Sequence, residues 1–297
     1  MIAVRDLARR LAWAALLLGA GCGPRQSAIV VASKNFTESD LLGEIVAQQI
    51  ERRTGLPVRR RFHLGGTFVC HEALIAGQID VYVEYTGTAL VAILQLPPTA
   101  DPESALLRVH PPYDERFDAE WLQPLGFNNT FAMIVRRTDA RRLGLTTIGD
   151  IAPHVRRWRA AFGYEFLERA DGWPGLARAY GLALAERPRV MDLGLTYRAL
   201  ADGQVDLIAG NSTDGQIAAL DLATLEDDRR YFPAYQAVPV IRWPVLRAHP
   251  EIGRALGDLA GTISDSTMRR LNALVDVEHR DIAAVAREFL AGLPTPR

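Results

Sequence analysis

The stretch Gly77-Gln78-Ile79-Asp80-Val81 recurs 126 residues later as Gly203-Gln204-Val205-Asp206-Leu207. An Ala-Leu pair precedes both copies at the same distance, and a polar loop follows each of them. Each copy predicts a helix that ends at a glycine and a turn that leads into a buried strand. The chain is therefore predicted to form two lobes of similar construction, with a ligand held in the cleft between them.

Alternating strand and helix patterns surround both copies. The apolar run 29–32 is typical of a strand in a parallel sheet, and Thr37 is predicted to cap a helix that ends at Gly55. Further predicted elements are strands at 57–64, 79–84, 130–135 and 159–162, helices at 67–76 and 172–180, and helices within 250–291 that cover the first lobe. The charges and prolines between Leu220 and Trp243 predict a surface passage back to that lobe. The predicted fold class is α/β, with a mixed, mostly parallel sheet flanked by helices in each lobe.

Composition and charge exclude several classes of protein. The 297 residues carry a formal net charge of −1, and the one basic block is Arg59-Arg60-Arg61, so nucleic acid is not the expected partner. The sequence has no Ser/His/Asp or Cys/His catalytic set, no phosphate-binding loop and no metal-ligand spacing. The chain is predicted not to be an enzyme and to need neither a cofactor nor a metal.

The first 21 residues have the pattern of a bacterial lipoprotein signal. Arginines precede the apolar run Leu11–Leu18, which is too short to span a bilayer comfortably. Small residues then lead to Cys22, which such signals make the lipidated N-terminus, and residues 22–27 are a linker. Simple cleavage and an uncleaved anchor are the alternatives. With Cys22 lipidated, Cys70 has no disulfide partner and is predicted to be small and buried. The protein is expected in the periplasm or at the cell surface, anchored to the membrane through Cys22.

Lys34 is the only lysine, and the other 33 of the 34 basic side chains are arginines. It stands where a predicted strand ends and a helix begins, which is where α/β domains bind small ligands. An ammonium group cannot be exchanged freely for a guanidinium group. Lys34 is therefore predicted to contact a ligand, with chance survival in an arginine-rich chain as the alternative.

Six short motifs occur in one order along the chain: Ser33-Lys34-Asn35-Phe36-Thr37-Glu38, Leu64-Gly65-Gly66-Thr67, Glu84-Tyr85-Thr86-Gly87-Thr88-Ala89, Gly126-Phe127-Asn128-Asn129-Thr130, Arg169-Ala170-Asp171-Gly172 and Thr213-Asp214-Gly215. Together they resemble the substrate-binding proteins of osmoprotectant ABC importers, which take up glycine betaine, choline, carnitine and related quaternary amines. The resemblance extends from about Ile29 to Leu293. It implies a two-lobed periplasmic binding-protein fold of type II, with lobe 1 formed by residues 28–127 and 234–297 and lobe 2 by residues 128–233.

The resemblance also implies a function and a site. The protein is expected to be a monomeric solute receptor that delivers a small quaternary-ammonium compound to a separate ABC permease and its ATPase. A quaternary ammonium has no N–H to donate, so aromatic faces recognise it through cation–π attraction. The matching cage positions are Tyr85, Phe131, Tyr197 and Tyr235. The matching polar positions, which would hold a ligand carboxylate or face the ammonium, are Lys34, Thr88, Asn129 and Arg169.

Two departures from the family pattern leave the ligand open. Phe131 stands where relatives commonly have tyrosine, and Phe68 stands where they often have a polar or small residue. Together they add a bulkier or more aromatic trimethylammonium compound, such as carnitine or ergothioneine, to the candidate ligands, and Phe68 and Asp214 are further site candidates. Choline ranks below a zwitterion because it would leave Lys34 and Arg169 uncompensated. The alternative functions are binding of another zwitterionic solute, such as an amino acid, and a sensory role without transport.

Overall fold

The structure, a computed structural model, describes residues 28–294. The predicted signal segment, Cys22 and the rest of the predicted linker lie outside these residues. The strands of sheet 1 are β1 (Ile29–Lys34), β2 (Val58–Gly65), β3 (Val81–Tyr85), β4 (Ala119–Trp121) and β10 (Ala237–Arg242). The strands of sheet 2 are β5 (Phe131–Arg136), β6 (Ala160–Phe162), β7 (Arg189–Val190), β8 (Leu207–Asn211) and β9 (Leu222–Leu225). Each sheet with the helices that flank it is called lobe 1 or lobe 2.

The helices are α1 (Thr37–Thr54), α2 (Thr67–Ile75), α3 (Thr86–Thr88), α4 (Pro102–Phe117), α5 (Arg137–Leu143), α6 (Tyr164–Glu168), α7 (Trp173–Tyr180), α8 (Leu193–Ala201), α9 (Gln216–Ala219), α10 (Trp243–Ala248), α11 (Pro250–Gly257), α12 (Asp265–Asp276) and α13 (Ile282–Ala291). A π-helical turn at Ala89–Ile93 follows α3, and 3₁₀ turns lie at Gly149–Ile151 and Val155–Arg157. The helices predicted from the periodicity are present, with ends that differ by one or two residues.

The two sheets have the same topology. Sheet 1 has the order β2-β1-β3-β10-β4, and sheet 2 has the order β7-β6-β8-β5-β9. In each sheet the first three strands pair in parallel, and the fourth is antiparallel to both of its neighbours. Four of the five strands therefore point the same way, which agrees with the predicted mixed, mostly parallel sheet in each lobe.

The aspartate of the repeated stretch has a structural role in both lobes. In lobe 1, the Asp80 carboxylate accepts from the backbone N–H of Val30 at 2.8 Å and pairs with Arg242 at 3.3 Å. In lobe 2, the Asp206 carboxylate accepts from the backbone N–H of Arg159 at 3.0 Å and pairs with Arg136 at 2.9 Å. Each aspartate thus joins the start of its strand to the neighbouring parallel strand and to the antiparallel strand beyond.

Helix α1 is the central helix of lobe 1. Its apolar residues Leu41, Leu42, Ile45, Val46 and Ile50 are fully buried, as their helical spacing predicts. The helix ends at Gly55, whose φ of 72° lets its N–H close the last turn on the Glu51 carbonyl. Helices α11, α12 and α13 pack against α1, so the C-terminal segment covers lobe 1 as predicted. Thr37, which the sequence suggested as the cap, is instead the first helical residue, and Phe36 holds the cap position.

Two chain segments connect the lobes, and they lie side by side. One runs from β4 to β5 and the other from β9 to β10, with an antiparallel bridge between Asn128 and Gln236. The prediction for 220–243 was only partly right, because this stretch also contains the whole of β9 and β10. Because of its prolines and charges, neither strand was predicted from the sequence. Pro239 nevertheless lies within β10, and β10 lies between β3 and β4 in sheet 1.

Candidate ligand-binding site

A cavity of about 870 Å³ lies between the lobes. Eight of the ten site candidates line it: Lys34, Phe68, Tyr85, Thr88, Asn129, Phe131, Arg169 and Tyr235. The other two, Tyr197 and Asp214, are not among the lining residues. The sequence motifs therefore converge on one cleft, with two exceptions that have a common cause.

Tyr197 and Asp214 bind each other behind the cavity wall. The Tyr197 hydroxyl donates to the Asp214 carboxylate, which also accepts from the backbone N–H of Asn211 at 2.9 Å. A side chain at Gly210, which lines the cavity, would collide with the Tyr197 hydroxyl. Burial raises the pKa of Asp214 to about 7. In this conformation Tyr197 supports the wall at Gly210 and offers no ring face to the cavity.

Lys34 is buried at the end of β1 and already has partners from the protein. Its ammonium lies 2.5 Å from the Glu84 carboxylate and 3.0 Å from the Thr67 hydroxyl. It also lies 5.2 Å from the centre of the Tyr85 ring. Lys34 and Glu84 are 3% and 0% exposed, so their charges compensate each other inside lobe 1.

Arg169 is the matching cation of lobe 2. Its guanidinium binds Asp171 in a bidentate pair, with distances of 2.9 and 2.5 Å, and donates to the Thr88 hydroxyl at 3.2 Å. The same guanidinium lies 5.2 Å from the centre of the Phe131 ring. Asp171 in turn accepts from the Tyr235 hydroxyl at 2.6 Å. This network joins the two lobes, because Thr88 belongs to lobe 1 and Arg169 to lobe 2.

Glu38 is a buried carboxylate behind the cavity that the sequence analysis did not select. Its Oε1 accepts from the Tyr85 hydroxyl and from the Asn129 amide, both at 2.7 Å. Its Oε2 accepts from the Thr213 hydroxyl at 2.5 Å and from the Asn272 amide at 2.8 Å. Burial raises the pKa of Glu38, and the four donors oppose that rise. Among residues 28–294, no Lys, Arg or His forms an ion pair with it.

Glu165 bridges the lobes at the cavity edge. It belongs to α6 in lobe 2, and its carboxylate accepts from the backbone N–H of Thr67 and, at 3.0 Å, from the Thr67 hydroxyl. Thr67 is the first residue of α2, whose N-cap residue, Gly66, has no side chain to bind the free N–H groups. Glu165 therefore supplies the missing cap from the opposite lobe.

Three aromatic residues that the sequence analysis did not select also line the cavity: Phe36, Tyr164 and Phe166. Phe36 stacks on Tyr85 with the ring centres 6.3 Å apart, and Phe166 packs edge-on against Phe131 at 4.9 Å. Phe36 lies inside a motif that was quoted for its lysine, so its position was available. Nothing local in the sequence separates Phe166 from the other aromatic residues of lobe 2.

Cys70 and His71, both in α2, are buried in lobe 1. Cys70 is fully buried, and burial raises the pKa of its thiol to about 12. His71 packs between Tyr113 and Phe117. Within 28–294, no group of three or more His, Cys, Asp and Glu side chains is arranged to hold a metal ion. No helix in the same range is both long and apolar enough to cross a membrane.

Comparisons with known proteins agree with this geometry. Residues 27–292 match the family OpuAC, described as the substrate binding domain of ABC-type glycine betaine transport system. The chain is 36% identical over 266 residues to the ergothioneine transport permease/ergothioneine binding protein EgtU of Helicobacter pylori (strain G27), and the match covers 89% of this chain and 47% of that protein. It is 34% identical to the carnitine transport binding protein OpuCC of Listeria monocytogenes, over 90% of this chain and 87% of that one.

Solved structures extend the agreement to the fold. The crystal structure of a glycine betaine/carnitine/choline ABC transporter protein matches with a TM-score of 0.72 and 34% identity, and covers 89% of this chain and 97% of that chain. The predicted type II periplasmic binding-protein fold and the family resemblance are confirmed. The chain belongs to the OpuAC family, the substrate-binding domains of ABC-type glycine betaine transport systems.

Proposed function

We propose that this protein is an extracytoplasmic solute receptor that binds a small quaternary-ammonium compound and delivers it to an ABC permease. The relatives described above are named for ergothioneine and carnitine, and the family for glycine betaine. The observation that carries the proposal is the aromatic lining of the interlobe cavity. Its rings come from both lobes: Phe36, Phe68, Tyr85, Phe131, Tyr164, Phe166 and Tyr235.

Aromatic faces suit a trimethylammonium group, which cannot donate a hydrogen bond. Each face contributes about 0.5–2 kcal/mol of cation–π attraction when it is desolvated. Tyr85, Phe131 and Tyr235 are the proposed cage residues, and Tyr197 is proposed to support the wall at Gly210. Tyr85 and Phe131 each lie 5.2 Å from a protein cation, so their rings already take part in contacts of this kind.

The carboxylate of a zwitterionic ligand is proposed to lie near Thr88 and Arg169, where hydroxyl and guanidinium donors meet. Asn129 is proposed to face the ammonium end. The buried amide oxygen of Asn129 has no hydrogen-bond partner among the described residues. Both Thr88 and Asn129 contact the opposite lobe, so a ligand held by them would favour the closed cleft.

Choline is again a candidate ligand beside the zwitterions. The argument against it was that a ligand without a carboxylate would leave Lys34 and Arg169 uncompensated. Glu84 and Asp171 already compensate these two cations. The charges of Lys34 and Arg169 therefore do not by themselves select a zwitterion over choline.

A larger solute, such as carnitine or ergothioneine, is the second candidate. The cavity of about 870 Å³ is of the size that proteins use for drug-sized ligands, and Phe68 at its edge is 50% exposed. An exposed ring beside the cavity would suit a ligand with a second apolar or aromatic part.

The remaining proposals concern the setting of the receptor. We propose that Cys22 is lipidated and anchors the protein to the membrane, that the receptor is a monomer, and that its partners are a separate permease and an ATPase. Measured mass of the purified membrane form tests the anchor, because a diacylated Cys22 adds the mass of its lipid. Light scattering of the soluble form tests the monomer.

The ligand proposal is tested by calorimetry on residues 23–297. Glycine betaine, carnitine, choline and ergothioneine are titrated, with glycine and proline as unmethylated controls. We expect saturable heat from at least one methylated compound and none from the controls. Saturable binding of glycine or proline with silence from every methylated compound would contradict the proposal.

The cage is tested by Tyr85→Leu, which keeps an apolar side chain and removes the ring face. We expect the affinity for the bound trimethylammonium compound to fall roughly 2- to 30-fold, because one cation–π contact is worth about 0.5–2 kcal/mol. Tyr113→Leu is the matched control, since Tyr113 is also a buried tyrosine of lobe 1 but does not line the cavity. Equal affinity in Tyr85→Leu and Tyr113→Leu would remove Tyr85 from the cage.

A further inference from the structure

Among the described residues, the buried cations at the cavity are paired with carboxylates, and two carboxylates behind its wall, Glu38 and Asp214, have no cationic partner. Lys34 pairs with Glu84, and Arg169 pairs with Asp171. Glu38 has no cationic partner and is 2% exposed. Glu38 is thus an uncompensated carboxylate directly behind Tyr85, whereas Asp214 lies behind Gly210 and binds Tyr197, which does not line the cavity.

The hydrogen bonds of Glu38 satisfy its ionised form. All four partners donate to it, and four donors fill the four lone-pair positions of a carboxylate. Two of them, the Asn129 and Asn272 amides, donate through NH₂ groups that cannot accept. Ionised acceptors bind their donors more strongly than neutral acceptors do, so this set of donors favours the ionised carboxylate and opposes the rise in its pKa that burial causes.

Two of the four partners also face the cavity. Tyr85 and Asn129 line it, while Glu38 does not, so these two side chains connect the carboxylate to the cavity. A carboxylate that accepts from a phenol polarises it toward a more electron-rich ring. A cation on the Tyr85 face would be attracted both by this more electron-rich ring and by the carboxylate behind it, in a region where water does not screen the attraction.

We propose that Glu38 increases the specificity of the site for a cation, as a buried counter-charge that acts through the Tyr85 ring and the Asn129 amide. This inference rests on the proposed function and adds a residue to it. Aromatic rings already favour a trimethylammonium group over a tert-butyl group of the same shape through cation–π attraction. Glu38 makes this preference larger.

Other acidic groups at the cavity differ from Glu38. Glu168 and Asp192 line the cavity from lobe 2 but are exposed, so water and salt screen them. Glu165 is held by Thr67 and lies 3.8 Å from the Arg169 guanidinium. None of these three contacts an aromatic ring of the proposed cage through a hydrogen bond.

The test compares each trimethylammonium compound with the isostere in which carbon replaces the cationic nitrogen. Choline is paired with 3,3-dimethylbutan-1-ol, and glycine betaine with 3,3-dimethylbutanoate; affinities come from calorimetry or from competition. The readout is the ratio of the affinities within each pair, which a loss of shape or stability does not change. Glu38→Gln keeps the size of the side chain, and the unpartnered oxygens of Asn129 and Asn272 can accept its new N–H after a flip of either amide.

We expect Glu38→Gln to lower the ratio about tenfold, mostly through weaker binding of the cation. Glu38→Asp keeps the charge and should keep most of the ratio, even if both ligands bind more weakly. Glu44→Gln is the matched control, because Glu44 is a buried glutamate of the same helix that pairs with Arg60 away from the cavity. It should leave the ratio as in the wild type.

Three results would overturn the inference. An unchanged ratio in Glu38→Gln, which includes an equal fall in both members of a pair, would show that the charge is irrelevant. A ratio that falls as far in Glu38→Asp as in Glu38→Gln would assign the effect to geometry. A wild type that binds neither choline nor glycine betaine would overturn both this inference and the proposed trimethylammonium site, whereas the first two results leave the proposed function intact.

Discussion

The two lobes share a scaffold but differ at the positions that meet the ligand cleft. Their sheets have the same strand order, and Asp80 and Asp206 make the same contacts in each. Strand register gives the equivalent positions: Val31 pairs with Val81 in lobe 1, and Ala160 pairs with Leu207 in lobe 2. A ligand cleft between two such similar lobes could have been symmetric, but this one is not.

The difference appears three residues further along each pair of strands. Lobe 1 has Lys34 and Glu84 there, which form the buried ion pair, and lobe 2 has Gly163 and Gly210. Side chains from α8 fill the space that the two glycines leave, since a Cβ at either would collide with Leu193 or Tyr197. The repeated stretch thus builds both scaffolds, while the neighbouring positions give buried charge to lobe 1 and close backbone packing to lobe 2.

The largest expected effect comes from breaking the ion pair that lobe 1 has at these positions, where lobe 2 has two glycines. Glu84→Gln leaves the Lys34 ammonium buried without an opposite charge, which costs about 3–5 kcal/mol of the free energy of unfolding. Urea denaturation measures this loss. The double variant Lys34→Met with Glu84→Leu should recover most of it, because an apolar pair of similar volume needs no compensation. A loss below about 1 kcal/mol in Glu84→Gln would mean that Thr67 alone suffices to hold the ammonium.

A smaller effect is expected where the lobes are alike. Asp206→Asn should cost about 2 kcal/mol and Asp80→Asn about 1 kcal/mol, since hydrogen bonds to charged groups contribute about 1.5–3 kcal/mol when buried and less when partly exposed. Asp206 loses more because it binds two arginines, Arg136 and Arg159, whereas Asp80 binds only Arg242. Denaturation of the two variants under one condition measures the difference. A larger loss in Asp80→Asn would contradict this account.

The pH dependence of the same variants gives a second check. Burial alone would raise the pKa of Asp206, but hydrogen bonds from Arg159 and Arg136 outweigh it and bring the pKa to about 2. A carboxyl whose pKa is lowered by folding stabilises the protein above its ordinary pKa and loses that contribution as the pH falls through the folded value. The difference in stability between wild type and Asp206→Asn should therefore shrink between pH 4 and pH 2. A constant difference over that range would assign the cost to packing.

The sequence predicted the parts of this molecule that depend on local patterns. The repeated glycine and aspartate marked both lobes, and the six motifs marked the cleft, because strand ends of an α/β sheet meet at one edge. The sequence did not predict which side chains form hydrogen bonds and ion pairs with those residues. Lys34 was selected as a free cation, although Glu84 lies in another of the quoted motifs, since nothing local says which residues of two motifs meet.

The contacts of Glu38 were even harder to predict from the sequence. It stands in the first turn of α1, where an acidic residue usually stabilises the helix N-terminus, and that role hides any other. Its partners Asn129, Thr213 and Asn272 are 91, 175 and 234 residues away. The prediction of Tyr197 as a cage residue met the opposite difficulty. Its position beside a loop motif did not reveal that its hydroxyl binds Asp214 behind the wall.

The smallest effect is expected where a residue of lobe 2 caps a helix of lobe 1. In lobe 2, Asp192 caps α8 and accepts from the backbone N–H of Gly194 at 3.0 Å. In lobe 1, the equivalent helix α2 has no cap of its own and takes Glu165 from lobe 2. The cap of α2 therefore exists only while the two lobes touch, and it adds to the stability of the closed cleft.

Glu165→Ala should accordingly speed ligand dissociation a few-fold, since a helix cap contributes about 1 kcal/mol and Glu165 is 30% exposed. Stopped-flow measurement of release from the purified receptor gives the rate. Glu72→Ala is the control, because Glu72 is an exposed acidic residue on the same helix that does not line the cavity. If Glu165→Ala lowers the melting temperature of the ligand-free protein as much as that of the complex, the cap would be part of the resting fold and not of closure. An unchanged dissociation rate would show that the lobes close without it, and the contrast between α2 and α8 would then have no bearing on binding.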